Sequence, residues 1–323
     1  MSNIVNMGGG SNDNGSKSSS LKDIEIQQEK DKIDWSHKAN VLCEALPYMK
    51  KFAGETFVIK FGGSAMGQNE NLQNFAKSIV LLKQVGINPI IVHGGGPQIC
   101  DMLNRLDIKS SFVDGLRITD KDTVDIVEMV LAGSINKMIV NEINKAGGKA
   151  IGISGKDANL IRAKKITRTK KDPDSNIEKI LNLGYVGEPY AVDPEIFGIF
   201  EDSDLIPVVA PIGIGDNGET FNINADTVAG SLASATQASK LIILSDVDGV
   251  MLPNNELVSH LNIATAQKMI KDGIIVGGMI PKIETCIKSL EMGVGFAHIL
   301  NGSIDNILLM EIFTESGAGT MII

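Results

Sequence analysis

The chain has 323 residues, of which 43% are hydrophobic and 4% aromatic, and its formal net charge is −9. This length suits one large α/β domain or two lobes, whereas the acidic balance argues against nucleic acid as a main partner. No apolar run reaches the roughly 18 residues of a membrane-spanning helix, and the three scattered cysteines and four histidines indicate neither a disulfide framework nor a zinc site.

The N-terminus is predicted to be a disordered tail covering residues 1–33. Its first 20 residues are rich in glycine, serine and asparagine. They contain no arginine and no apolar segment, so neither a transit peptide nor a secretory signal is indicated.

An amphipathic helix is predicted over 34–53. Trp35, Leu42 and Leu46 belong to an apolar series at spacings of three and four. Pro47 lies inside the series and is expected to kink the helix or to start a new one. The apolar face needs a partner, which is either the same domain or the equivalent helix of another subunit.

The stretch Thr56–Gly67, with the sequence TFVIKFGGSAMG, combines a short apolar strand with a glycine pair and a following helical pattern. Lys60 precedes Gly62 and Gly63, which can turn peptide N–H groups toward an anion. Strand, glycine loop and helix form many phosphate sites. The alternative is an ordinary tight turn between strand and helix.

A second loop of this kind follows in Asn88–Gly96, with the sequence NPIIVHGGG. A buried strand runs into His93 and three glycines, and Pro97 is suited to the start of a helix. Three glycines at this junction favour ligand binding over turn formation. His93 is either a ligand group or a buried structural histidine.

Ser111–Thr119 predicts a hairpin with Asp-Gly at its turn. Arg117, just after the turn, is a candidate to bind a carboxylate, the alternative being a surface ion pair. A long helix broken near Gly133 is predicted over Thr123–Gly147. Lys149–Gly155 predicts another strand that ends in glycine.

The middle of the chain, Leu160–Tyr190, is charged and is predicted to be irregular, with short hairpins and a mobile loop around Lys170–Asn176. A strand is predicted within Leu205–Gly215. Further on, Leu308–Phe313 and Thr320–Ile323 predict a terminal pair of strands.

Polar groups recur at predicted strand ends in the C-terminal half. Asn222 and Asp226 lie at a predicted helix start, where helix capping is the alternative function. Asp246 follows a buried strand, at the edge where open α/β sheets bind ligands. Gly278 precedes a helix that carries Lys282 in its first turn, where a cation opposes the helix dipole unless an anion binds between them.

The order of strands and helices predicts a mainly parallel sheet covered on both faces. The pattern G-x-G-x-x-G occurs once, at Gly213–Gly218, but it contains the turn signal Asp216-Asn-Gly218 and does not open a helix, so it is not a nicotinamide fingerprint. The nucleophile motif G-x-S-x-G is missing from the sequence. Glycine loops and cations without a nucleophile suit phosphoryl transfer, which depends on positioning and charge neutralisation.

The chain resembles the amino acid kinase family from about residue 34 to the C-terminus. The motifs KFGGSAM, IVHGGGP, DGLRIT, FNINAD, LSDVDGV and GGMIPK match as a set and in order. The resemblance implies a three-layer αβα sandwich with a mainly parallel open sheet, plus the N-terminal helix. It also implies a substrate-binding and dimerisation lobe over 54–200 and an ATP-binding lobe over 201–323.

The resemblance further implies phosphorylation of the γ-carboxylate of N-acetyl-L-glutamate by ATP with Mg²⁺, a step of arginine biosynthesis. That carboxylate is ionised at neutral pH and needs no general base. It needs relief from repulsion by the triphosphate. The implied residues are Lys60, Lys282 and Asp226 for catalysis, Gly95, Gly96, Arg117 and Asn222 for the substrate, and Gly62, Gly63, Asp246 and Gly278 for the nucleotide, with Mg²⁺ carried by ATP rather than by protein ligands.

Features of the arginine-inhibited members are also present. Tyr48, His298, Glu311 and Gly317 match their arginine pocket. The resemblance implies a homo-hexamer, a trimer of dimers joined through the N-terminal helices, and PII signalling protein as a possible partner. A soluble location in a bacterial cytoplasm or a plastid stroma is expected. The alternatives are a sister kinase acting on carbamate, aspartate, glutamate or UMP, a non-catalytic arginine sensor and, more distantly, a dinucleotide-binding reductase.

Overall fold

The computed structural model describes residues 35–62, 66, 69–113, 115–171, 178–315 and 317–323. Four predictions lie outside this described part. They concern the tail 1–33, the nucleotide-binding Gly63, residue 114 of the hairpin turn, and residues 172–176 of the mobile loop.

Fourteen strands are described. They are β1 Thr56–Phe61, β2 Asn88–His93, β3 Phe112–Val113, β4 Leu116–Arg117, β5 Lys149–Ser154, β6 Ile161–Lys171, β7 Glu178–Val192, β8 Leu205–Ala210, β9 Ile212–Ile214, β10 Thr220–Ile223, β11 Lys240–Ser245, β12 His260–Leu261, β13 Phe296–Asn301 and β14 Thr320–Ile322.

The helices alternate with these strands. They are α1 over 35–52, α2 Asn69–Gln84, α3 Gly96–Arg105, α4 Lys121–Glu128, α5 Asn136–Lys145, α6 Glu195–Glu201, α7 Ala225–Ala235, α8 Ile263–Lys271, α9 Met279–Glu291 and α10 Ile307–Phe313. A π-helical segment, Met129–Ile135, joins α4 to α5. Among the described helices, none has the length and apolarity needed to cross a bilayer.

The main sheet has eight strands in the order β12-β14-β13-β11-β1-β2-β8-β5. The strands from β13 to β5 are all parallel, and β14 runs antiparallel to β13. All six residues of β1 and all six of β11 are buried. This continuous burial is typical of a parallel sheet with helices on both faces.

Helices cover both faces of this sheet. On one face, Val58, Ile243 and Ile299 join a core with residues of α7 and α9. On the other, the Phe61 ring stacks on the Phe75 ring of α2 with 4.0 Å between centroids. The predicted three-layer α/β architecture with a mainly parallel sheet is therefore confirmed.

A small second set of strands adjoins the main sheet. β6, β7, β9 and β10 pair into a closed four-stranded ring, and β3 and β4 form the predicted hairpin. β9 begins two residues after β8 ends. The ring therefore stands at the carboxyl edge of the main sheet, where ligands bind in open α/β folds.

Two predictions of local structure were wrong. The described residues of this region form the long antiparallel pair β6, Ile161–Lys171, and β7, Glu178–Val192, rather than short hairpins. Ile161 and Ala163 are buried while Arg162 and Lys164 are exposed, so the charges lie on the outer face of a strand. Ile307–Phe313 is the helix α10 and not a strand, because a short, nearly continuous apolar run does not distinguish the two by periodicity.

Two helices differ from expectation in detail. α1 continues through Pro47 to residue 52 instead of restarting there. The helix after β4 does not break at Gly133 but continues through the π-helical segment into α5. One extra residue is accommodated within the helix, so the chain stays helical from Lys121 to Lys145.

Candidate active site

A cleft of about 280 Å³ opens at the carboxyl edge of the main sheet. Parallel strands deliver their last residues to this edge, so the ends of β1 and β2 meet there. All seven residues predicted for catalysis and for the substrate line its walls. They are Lys60, Gly95, Gly96, Arg117, Asn222, Asp226 and Lys282.

Two lysines and one carboxylate form the charged centre of the cleft. The Lys60 Nζ lies 3.0 Å from Asp226 Oδ1, and the Lys282 Nζ donates to Asp226 Oδ2 at 2.7 Å. Lys60 comes from the sheet and Lys282 from the first turn of α9, so Asp226 joins two separate elements. The two ammonium groups predicted to act together are therefore held at one carboxylate.

Asp226 stays ionised at this position. Burial by itself raises the pKa of its carboxyl, but the Lys60 and Lys282 ammonium groups outweigh burial and hold the pKa below its usual range. One carboxylate balances only one of the two lysines. The pair therefore retains a net positive charge toward the cleft.

The start of α7 fixes Asp226. The side chain of Asn224 accepts hydrogen bonds from the Asp226 N–H at 2.8 Å and from the Thr227 N–H at 3.3 Å. This is ordinary helix capping. The neighbouring Asn222 is directed away from the helix start. Its amide donates to Thr119 Oγ1 at 3.4 Å, and the residue lines the cleft.

The glycine loop Gly94–Gly96 forms another wall. The Gly94 N–H donates to the Phe61 carbonyl at 2.8 Å, which joins this loop to the end of β1. A Cβ on Gly95 would lie 2.4 Å from Ile135 Cδ1 and 2.7 Å from Leu131 Cδ2. A side chain there would force Ile135 and Leu131 to shift, and the first turn of α3 has N–H groups without helical partners that can bind an anion.

Arg117 is a buried cation. Its guanidinium donates to Ser110 Oγ, to the Gly96 carbonyl at 3.1 Å and to Cys100 Sγ at 2.9 Å, and it lies 4.6 Å above the Phe112 ring. Among the described residues, no acidic side chain pairs with it. Only 6% of Arg117 is exposed, which excludes the surface ion pair and favours an anionic ligand.

The predicted nucleotide residues are less closely placed. A Cβ on Gly62 would lie 3.0 Å from the Lys60 Cε, so the glycine at this position leaves space for the lysine side chain. Asp246 and Gly278 are exposed at the end of β11 and the start of α9. Neither lines the cleft described above, and their nucleotide-binding function stays a prediction.

A second charged cluster lies around β13. The His298 Nδ1 is 2.9 Å from Glu311 Oε1, and the Lys240 Nζ is 3.0 Å from His298 Nε2. The other Glu311 oxygen accepts from the Ala318 N–H at 2.7 Å. Gly317 adjoins it, with φ of +59° and an ideal Cβ 3.1 Å from Glu311 Oε2.

Burial sets the protonation of this cluster. It lowers the pKa of Lys240 and the pKa of His298 despite their acidic neighbour. Burial raises the pKa of Glu311, but His298, the Ala318 N–H and the Lys240 ammonium together outweigh burial, and the pKa falls below its usual range. Three of the four residues predicted for arginine are thus in or beside this cluster, while Tyr48 lies in α1.

Several site residues escaped the sequence analysis. Cys100, Ser110 and Phe112 surround the Arg117 guanidinium, and Thr119 contacts Asn222. Phe112 pairs directly with Arg117 across the hairpin, so the hairpin was its signal, whereas Cys100 lies on α3 and had no local signal in the sequence. Among the described residues, no group of three or more His, Cys, Asp or Glu side chains is placed to hold a metal ion.

Known structures share this fold. N-acetylglutamate synthase from Neisseria gonorrhoeae, solved with coenzyme A and N-acetyl-glutamate, superposes with a TM-score of 0.75 at 26% identity, over 88% of this chain and 63% of that one. The same synthase solved with L-arginine gives a TM-score of 0.72. Carbamate kinase from Giardia lamblia, at 16% identity and a TM-score of 0.59, shares the fold.

Sequence comparison gives the family. The acetylglutamate kinase of Rhodospirillum rubrum is 58% identical over 288 residues, which cover 89% of this chain and 93% of that protein. The acetylglutamate kinase of Ehrlichia chaffeensis is 53% identical over 92% of this chain and 93% of its own length. Residues 55–301 match the model of the amino acid kinase family. The resemblance predicted from the motifs is confirmed, and the chain belongs to the amino acid kinase family.

Proposed function

We propose that the protein transfers a phosphoryl group from ATP to the γ-carboxylate of N-acetyl-L-glutamate. The product is N-acetylglutamyl 5-phosphate, in the second step of arginine biosynthesis. The observation that carries the proposal is the cleft in which Lys60 and Lys282 share Asp226. The acetylglutamate kinases that resemble this chain over about nine-tenths of its length support the choice of substrate.

The lysine pair suits the central difficulty of this reaction. A carboxylate and a triphosphate repel each other, and the acceptor is already ionised, so the enzyme has to neutralise charge rather than remove a proton. The cleft walls contribute three cations and a single carboxylate. Lys60 and Lys282 stabilise the transferring phosphoryl group from two elements, and Asp226 orients both.

Arg117 and Asn222 give the cleft its preference for the acceptor. The buried guanidinium binds the α-carboxylate, since it meets only neutral acceptors among the described residues. Asn222 binds the acetamido group. The amides of Gly95 and Gly96 bind the γ-carboxylate, which places the acceptor oxygen beside the lysine pair.

The nucleotide lies along the ends of β1 and β11 and the start of α9, where Gly62, Asp246 and Gly278 contact its phosphates and ribose. Mg²⁺ would enter with ATP and would help to neutralise the charge of the phosphates. This fits the cleft, because each oxygen of Asp226 lies within 3.0 Å of a lysine ammonium that competes with a metal ion for it.

Arginine inhibits the enzyme in this proposal. The cluster of Lys240, His298 and Glu311 offers a carboxylate for a guanidinium and an ammonium for a carboxylate. Gly317 adds backbone beside Glu311, and Tyr48 comes from α1. The synthase solved with L-arginine, a structural relative, supports a ligand of this kind.

The proposal extends to assembly and location. The chain forms a homo-hexamer, a trimer of dimers, with α1 as the contact between dimers. PII signalling protein is a possible further partner, and the enzyme works in a bacterial cytoplasm or a plastid stroma. Size-exclusion chromatography with light scattering tests the hexamer, and a chain that is a dimer at micromolar concentration contradicts it.

The decisive experiment measures ADP release with MgATP and a panel of acceptors. N-acetyl-L-glutamate should support turnover, whereas L-glutamate, L-aspartate, carbamate and UMP should not. Arginine is then added at fixed N-acetyl-L-glutamate. Turnover with another acceptor alone would identify a sister kinase, and no turnover with any acceptor, together with arginine binding in calorimetry, would identify a sensor.

A further inference from the structure

His93 is fully buried at the end of β2 and is directed away from the cleft lining. Its Nδ1 lies 2.9 Å from the Gly94 carbonyl, and its Nε2 lies 3.4 Å from the Asn136 amide nitrogen. A carbonyl oxygen can only accept, so Nδ1 carries the proton and Nε2 accepts from Asn136. The histidine therefore connects the first glycine of the loop to α5.

Asn136 ties three strand ends together. Its amide nitrogen donates to the Val208 carbonyl at 2.8 Å and lies 3.4 Å from both the Ile153 carbonyl and His93 Nε2. These partners belong to β8, β5 and β2, which are neighbours in the sheet. Only 1% of Asn136 is exposed. Its amide cannot replace these hydrogen bonds by bonds to water, so they fix its orientation.

The sheet makes room for this side chain. A Cβ on Gly152 would lie only 1.7 Å from Asn136 Oδ1. Gly152 is in the interior of β5, where glycine ordinarily weakens a strand. The missing side chain at this position is what admits the asparagine amide between the strands.

The π-helical segment aligns the same helix with the glycine loop. The Asn136 N–H bonds to the Leu131 carbonyl, five residues earlier, and Leu131 and Ile135 press against Gly95. One turn of helix thus contacts the loop at Gly95 and, through His93, at Gly94. π-helical turns of this kind occur often at functional sites.

We propose that Asn136 is a positioning residue for phosphoryl transfer. Through His93 and the π-helical turn it fixes the Gly94–Gly96 loop, whose amides meet the acceptor carboxylate. The inference rests on the proposed function for its kinetic consequence. Gly152 serves the same purpose by leaving space for the Asn136 amide.

Three variants test this. Asn136→Ala, and Gly152→Ala with a Cβ that displaces the Asn136 amide, should each lower kcat/KM for N-acetyl-L-glutamate about 10²-fold, since a small misplacement near the reacting atoms costs this much. KM for ATP should stay within about twofold. In the double variant, Gly152→Ala should add no further loss, because the asparagine it would displace is gone.

Asn144→Ala is the matched control. Asn144 is an exposed asparagine of the same helix whose side chain accepts from the Ala150 N–H of the same strand at 2.7 Å. It should keep kcat/KM within about twofold. Equal losses in this control, full additivity in the double variant, or wild-type kinetics in folded Asn136→Ala would each overturn the proposal.

A crystal structure of Asn136→Ala gives a readout that does not depend on the acceptor. The Gly95 and Gly96 amides should move by more than the roughly 0.5 Å tolerance of a positioned site. An unmoved loop would reject the positioning function even if the kinase activity is established. A displaced loop, in a protein that fails to phosphorylate N-acetyl-L-glutamate, would reject only the proposed substrate.

If Asn136→Ala does not fold, Asn136→Asp keeps the shape of the side chain but sets an oxygen against the Val208 carbonyl. It should show the same loss of kcat/KM for N-acetyl-L-glutamate, about 10²-fold, with KM for ATP within about twofold of the wild type. Melting temperatures of all variants separate loss of folded protein from loss of rate, and a rate loss that is proportional to the unfolded fraction would overturn the inference.

Discussion

Two buried charge clusters lie at opposite edges of one sheet. Lys60 is the fifth residue of β1 and lies at the carboxyl edge, while Lys240 is the first residue of β11 and lies at the amino edge. At the first, two ammonium groups share one carboxylate. At the second, His298 stands between one lysine and one carboxylate.

The difference lies in charge balance. The lysine pair and Arg117 leave positive charge unmatched in the cleft, so the residues themselves predict an anionic ligand. The Lys240 and Glu311 charges offset each other, so the charges of this second cluster do not indicate whether a ligand would be an anion or a cation. Its assignment to arginine comes from the family resemblance.

The largest effect is expected when one of the two cleft lysines, which carry the excess positive charge, is removed. Lys282→Ala should lower kcat for ADP release by about 10²- to 10³-fold, as loss of one group that stabilises transition-state charge does. Lys60→Ala should act similarly on rate. Folding should be kept in this variant, because Asp226 retains the Lys282 ammonium as its partner.

Lys288→Ala is the control for this comparison, since Lys288 is an exposed lysine of α9 one and a half turns beyond Lys282. Its kcat should stay near that of the wild type. Folded Lys282→Ala protein with near-normal kcat would remove the lysine pair from the mechanism.

Arg117 tests whether the unpaired charge serves the acceptor. Arg117→Ala should raise KM for N-acetyl-L-glutamate about 10²-fold, as expected for truncating a buried, charged contact, and should leave KM for ATP nearly unchanged. Steady-state kinetics with each substrate varied in turn measures the split. Arg105→Ala, at an exposed arginine of α3, is the control, and a larger rise in KM for ATP would place the guanidinium at the nucleotide.

The sequence predicted those cleft residues whose position depends on a single local pattern. Lys60 and Gly95 follow strands, and Arg117 follows a turn, so each position could be read from its own neighbourhood. No local pattern predicts the sharing of Asp226 by two lysines, because Lys60 and Lys282 are joined only by the tertiary fold, and this expectation came from the family resemblance alone.

The fold was predicted except where patterns are ambiguous. The apolar run of α10 fits a helix or a strand equally, and the charges of β6 concealed a strand with one exposed face. The π-helical turn has no sequence period that distinguishes it from an α-helix. The functions proposed for Asn136 and Gly152 could not be predicted from the sequence, because they depend on the tertiary fold, which places the asparagine amide against β5.

A smaller effect is expected at the balanced cluster. Glu311→Gln removes the carboxylate charge that would bind a guanidinium, and a charged hydrogen bond contributes about 1.5–3 kcal/mol. The arginine concentration for half inhibition should therefore rise about tenfold or more. Inhibition curves for the wild type, Glu311→Gln and the exposed control Glu315→Gln measure it, and superimposed curves for all three would separate arginine inhibition from this cluster.

The smallest effect is on the stability of the fold. It distinguishes the titration of buried His93 from that of buried His298. Burial lowers the pKa of His93 to about 4, with a smaller contribution from nearby Lys137. In the unfolded chain, histidine takes up a proton near pH 6.5. Between those values the unfolded state binds one more proton than the folded state, so falling pH destabilises the protein by up to about 1.4 kcal/mol per pH unit.

His93→Asn removes this titration, while His298 and the carboxylates continue to titrate in both proteins. The free energy of unfolding from urea melts should therefore decline less steeply from pH 6.5 to 4 in the variant than in the wild type. His260→Asn, at an exposed histidine, is the matched substitution. Parallel slopes for the wild type and His93→Asn would mean that His93 is protonated in the folded state, and Nε2 could then not accept the amide hydrogen bond from Asn136.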